Sequence, residues 1–221
     1  MDRLPFAPYD FFGYLASGFL VIIAMDLTLG FPRLLGFDLG IVESIALVLA
    51  AYIAGQIIAT PSKAVLEDGL VGKLLRRPSV NLFQEGRPRV RGLLFPGFYG
   101  PLPPQTRVSI LEKAKAEGVV GTGEDLFLHV RYSPAVLQDA QLLARLSGFL
   151  NQYGFNRNLS FTALLGGSGM LLAWKVVPGA DPELWKYGTT ILAAGVLLLY
   201  RFLKFFRQYS YELFNAYGRV R

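Results

Sequence analysis

Residues 39–59 read LGIVESIALVLAAYIAGQIIA, and Thr60-Pro61 follows at once. The run carries one charge, Glu43, near its start. A helix rises 1.5 Å per residue, so roughly 20 apolar residues cross a hydrocarbon core of about 30 Å. This stretch has the length and composition of a membrane span. Beyond Pro61 the character changes: residues 61–158 are polar, charged and rich in proline. Working outward, the apolar pattern recurs at 11–29, then at 160–177 and 187–206 on the far side of the polar middle. The third run is the weakest, diluted by Gly166, Gly167 and Gly169 and closed by Lys175.

Composition agrees with that organisation. Of 221 residues, 52% are hydrophobic and 17% charged, against roughly 25% charged in soluble domains. The first apolar run is read as a retained span rather than a cleaved signal peptide. Residues 1–8 offer Asp2 and Arg3 but no basic cluster, and a second apolar run follows directly. The sequence has no cysteine, which removes disulfides, thiolate metal sites and thiol catalysis. One histidine, His129, does not make a metal centre, so neither metal nor cofactor is expected.

The net charge of +6 is unevenly spread. Residues 62–160 hold 13 Lys/Arg and 8 Asp/Glu, a local excess of +5. The short connectors 30–38 and 178–186 contribute only Arg33 and Lys186 as cations, whereas the C-terminal stretch adds Arg201, Lys204, Arg207, Arg219 and Arg221. Basic loops stay on the cytoplasmic side during insertion. The expected protein is therefore a multi-pass cell-membrane protein with both termini and the middle region inside.

The fold expected is an α-helical polytopic bundle of four transmembrane helices in two hairpins, with a small α+β cytoplasmic domain inserted between the pairs. Its divisions are 1–60, 61–158 and 159–221. Small residues at Gly13, Ser17 and Gly18, and at Ala46, Ala50 and Ala54 beside Ala51 and Gly55, allow close helix packing in lipid. Thr60-Pro61 suggests a helix restarting over 62–76, with Leu66, Leu70 and Leu74 on one face. Prolines at 78, 88, 96, 101, 103 and 104 argue against helix across 78–104, where 80–83 and 90–95 have strand character. Residues 126–132 alternate as a strand does. Residues 106–117 and a long segment after Ser133-Pro134 are helical by period, and 154–158 reads as a short break before the third span.

Three constellations are candidates for chemistry. Arg76 and Arg77, with Arg87, Arg89 and Arg91, form a basic run interleaved with aromatics. Guanidinium forks bind phosphate bidentately, and the same charge also attracts anionic lipid. His129 and Arg131 would share a strand face and add to an anion site. Asp26, Glu43 and Lys175 fall in the outer third of the bilayer, either as an outward-reaching ion pair or as a polar rim. No phosphate-loop motif occurs; 121–125 reads as a turn. No nucleophile, base and orienting group assemble, so no catalytic residue is assigned.

In plan alone, the small multi-span bundle with a basic cytoplasmic module resembles the membrane effectors of bacterial nucleotide-signalling and antiviral systems. That resemblance implies a homo-oligomer in the lipid bilayer that answers a nucleotide or oligonucleotide second messenger, or a cytoplasmic protein partner. The competing expectation is a membrane scaffold or assembly subunit without ligand gating. A lipid-acting enzyme stands behind both.

Overall fold

The computed structural model describes residues 8–29, 39–86 and 88–219. Its elements are α1 (Pro8–Leu29), α2 (Ile41–Ser62), a π-helix (Lys63–Leu75), α3 (Pro78–Asn81), α4 (Arg89–Leu94), α5 (Pro104–Ala116), α6 (Glu124–Arg131), α7 (Pro134–Leu137), α8 (Ala140–Val176) and α9 (Leu184–Arg219). Four helices are long and apolar enough to cross a membrane: Phe11–Leu29, Ile41–Asn81, Ala140–Val176 and Leu184–Arg219.

The chain divides into two compact units, Met1–Asp68 with Gly154–Phe202, and Gly69–Tyr153 with Leu203–Arg221. In the first, helices meet backbone to backbone. A methyl group on Gly18 would collide with the Ala51 carbonyl oxygen, and one on Gly55 with that of Tyr14. Glycine permits this approach because it has no Cβ. Ala51 is fully buried, whereas Ala46 and Ala50 of the expected stripe face outward. The α8–α9 contact repeats the device: a Cβ on Gly167 would lie 2.8 Å from the Gly188 oxygen, and Ser160 Oγ donates to the Gly195 oxygen at 2.8 Å. A small cluster of Ala24, Met170, Ala173 and Leu184 completes the packing.

The junction at Thr60-Pro61 does not restart a helix. Chain direction continues through Pro61, and two residues later the winding widens to the π form over Lys63–Leu75. Proline lacks the amide and crowds the preceding turn, and a wider turn accommodates that insult. Burial follows the wider period: Ser62, Leu66, Val71 and Leu75 are inside, while Leu74 is exposed. An α-helical stripe through Leu66, Leu70 and Leu74 therefore does not form.

In the second unit large side chains make the core. Leu82, Ile110, Leu126, Val130, Leu142, Leu213, Phe214 and Tyr217 are buried together, and Phe83 meets Phe214 edge-on with centroids 4.9 Å apart. No strand occurs among the described residues, which overturns the expected α+β domain. Each expected strand overlaps a helix instead, with Leu82 and Phe83 in the turn after α3. Pro78 takes the first turn of α3, where its missing amide costs nothing, and α4 starts directly after Pro88. In α6, Gly123 turns the chain with φ 103°, and Glu124 and Asp125 occupy the first turn, with His129 and Arg131 in the last. That order of charge suits the helix dipole. Leu126 and Val130, four apart, are both fully buried; the apparent alternation was one helical face seen in projection. Residues 154–158 are no break either, because α8 runs through them.

Candidate functional site

Two residues of the basic run, Arg76 and Arg91, line a cavity of about 310 Å³ in the second unit, together with Leu75, Asn81, Gln84, Glu85, Gly86, Pro88 and Tyr99. Its rear wall is the end of the π-helix. Leu75 offers its carbonyl to the Tyr99 hydroxyl at 3.0 Å and to Asn81 Nδ2 at 3.2 Å, and the same amide nitrogen donates to the Arg76 carbonyl at 2.9 Å. These bonds hold Arg76 at φ 63°, a left-handed conformation found at no other described non-glycine residue. Such strain persists only where surrounding contacts over-determine it.

Two guanidiniums reach the cavity by different routes. Arg76 projects from the strained corner, exposed. Arg91 comes from α4 and donates to the Leu74 carbonyl, which anchors one nitrogen of the fork. The cavity's carboxylate, Glu85, is engaged by Arg107 at 2.7 Å, and Arg107 also donates to the Phe83 carbonyl. The cavity lining thus holds two guanidiniums and one carboxylate, the latter engaged by Arg107. Burial pushes the Tyr99 hydroxyl above its ordinary range against the opposing pull of Arg91 and Arg76, so it remains a neutral donor to Leu75 at physiological pH.

The other sequence candidates disperse. Arg77 pairs with Glu124 at 2.5 Å on the surface. Arg89 is exposed on α4 and does not line the cavity. Arg87 lies outside the described residues. His129 and Arg131 belong to α6, and two residues of helix turn about 200° rather than onto one strand face. His129 Nε2 lies 2.6 Å from Glu117 Oε2, which also accepts the Tyr217 hydroxyl at 2.7 Å. Those two bonds hold the Glu117 carboxyl below its usual range, the tyrosine contributing most. The Arg131 guanidinium stacks 5.7 Å from the Tyr132 ring. Asp26 is buried, whereas Glu43 and Lys175 are exposed.

One constellation escaped sequence reasoning. In the first unit Arg157 Nη1 meets Glu67 Oε2 at 2.6 Å, with both side chains largely buried. Arg157 also donates to Asn158 Oδ1, which accepts Ser62 Oγ at 2.5 Å. Its partners are 90 positions apart, and the only signal was two charges bordering apolar runs. Among the described residues no group of His, Cys, Asp and Glu is placed to hold a metal. No protein-family model, curated protein or solved structure matches the chain.

Proposed function

We propose that the chain is a non-enzymatic, oligomeric, multi-pass membrane protein whose basic module takes up an anionic, nucleotide-like ligand and alters the membrane bundle in response. Both termini and the module lie on the cytoplasmic side in this reading, because the module carries nearly all the excess cation. The observation that supports ligand uptake is the cavity with two convergent guanidiniums whose neighbouring carboxylate is already engaged. A pair of forks at a concave site suits a phosphate better than scattered surface charge does. Support for assembly is the outward apolar face of α2, with Ile41, Val42, Ile45, Leu49, Ile53 and Ile57 all exposed.

Calorimetry on the whole detergent-solubilised protein, against linear and cyclic oligonucleotides, tests the ligand. Saturable binding is expected, weakened about tenfold or more by Arg76→Gln with Arg91→Gln, since a charged hydrogen bond contributes about 1.5–3 kcal/mol. It should weaken further with added salt. Absence of heat from every nucleotide would remove the sensor and leave the scaffold. Reporter fusions near Gly121 and after Arg221 test the threading, and a signal from outside the cytoplasm at either overturns it.

A further inference from the structure

Helix α4 is built the wrong way round for a water-soluble module. Gly92 is buried and faces its own unit, while Val90, Leu93 and Leu94 are 71%, 83% and 53% exposed. These three stand at i, i+3 and i+4, one face of one turn. Arg91 of α4 donates to the carbonyl of Leu74, itself exposed, which ties this helix to the end of the π-helix. An outward apolar cluster with a polar border marks a docking surface. Two exposed cations stand beside these residues in the chain, Arg89 at the start of α4 and Lys73 next to Leu74, and neither forms an ion pair among the described residues.

We propose that α4 seats in an anionic lipid surface, with Val90, Leu93 and Leu94 entering the acyl boundary and Arg89 and Lys73 meeting the headgroup phosphates. Charge complementarity selects this occupant. An apolar face accompanied by exposed cations suits a leaflet that is apolar within and negative at its surface. A protein partner would have to supply matching carboxylates around an apolar hole. The inference rests on the outer face of α4 and is independent of what fills the cavity.

The chain contains no cysteine, so Leu93→Cys in the full-length protein accepts one nitroxide label at a side chain that makes no core contact. In phosphatidylglycerol-rich vesicles the label should collide with oxygen several-fold more often, relative to a water-soluble nickel chelate, than a label at Val120→Cys, which is 84% exposed on another loop. That contrast should shrink in pure phosphatidylcholine and in the Arg89→Gln, Lys73→Gln variant. Nickel accessibility equal to that of the Val120 label would overturn the proposal. So would spectral broadening that disappears on dilution with unlabelled protein, which would mean a second copy covers the face. A contrast unchanged by lipid charge would overturn the choice of an anionic surface.

Discussion

The two units of this chain solve packing in opposite ways. In the first, contact is made by what is missing: Gly18 against Ala51, Gly55 against Tyr14, Gly167 against Gly188. Its polar side chains turn to backbone oxygens, as Ser17 does to Gly13 and Ser160 to Gly195. In the second, contact is made by bulk, with Phe214, Tyr217, Ile110 and Leu82 buried to the last few per cent. The difference follows from solvent. Lipid is as apolar as leucine, so burying a large side chain between spans gains little, and close backbone approach supplies the attraction. Around the module, removing apolar surface from water is itself the driving force.

The comparison breaks most readily at Gly55. Gly55→Leu places a branched side chain where the Tyr14 carbonyl already stands, and the first unit should not assemble. Loss of monodisperse protein in detergent would register it, while the outward-facing Ala50→Leu should change stability by about 0.5 kcal/mol or less. Equal damage from both would mean that the α1–α2 seam is not glycine-mediated. Next comes bulk removal from the module: Ile110→Ala should cost about 2–5 kcal/mol, seen as a lower melting temperature.

A third test probes polarity in the first unit. Arg157→Gln removes the cation that Glu67 meets, at a cost of about 2 kcal/mol, below the roughly 3–5 kcal/mol of a fully buried pair because both partners keep some exposure. The double variant with Glu67→Gln should recover part of that loss. A double variant worse than either single change would show that the pair does not act as a unit.

The smallest effect lies at Glu117. Its carboxyl is held below the ordinary range by Tyr217 and His129. A depressed carboxylate stabilises the fold above its unfolded value of about 4.3, and the contribution fades as pH falls through the folded value. Tyr217→Phe, which removes the larger bond, should cost about 1 kcal/mol at neutral pH and flatten the acid limb of a melting-temperature profile. An acid limb unchanged from wild type would place the carboxylate's support elsewhere.

Much of the membrane plan was legible because it depends on composition. Apolar length and the scarcity of charge persist whatever the neighbours do, and each of the four candidate spanning helices overlaps one run visible in the sequence, three of them extending well beyond it. The candidate site was legible only in part. Arg76 and Arg91 meet in the cavity, but Arg77, Arg89, His129 and Arg131 go elsewhere. Clustering along the chain measures contour distance, and here the partition among neighbours depends on a strained residue and a π-turn.

By itself the sequence determined that the chain contains four apolar segments, a basic middle and no cysteine, since these are properties of residue type and order. Whether short segments became strand or helix was decided in three dimensions. Four to eight residues carry too little periodicity to distinguish the two, and Leu126 and Val130 became helical partners when both faced one core. The inward turn of Ala51 rather than Ala50, the wide winding after Pro61 and the Arg157–Glu67 pair were also decided there. Each depends on which surface lies opposite, and a linear chain does not contain its own neighbours.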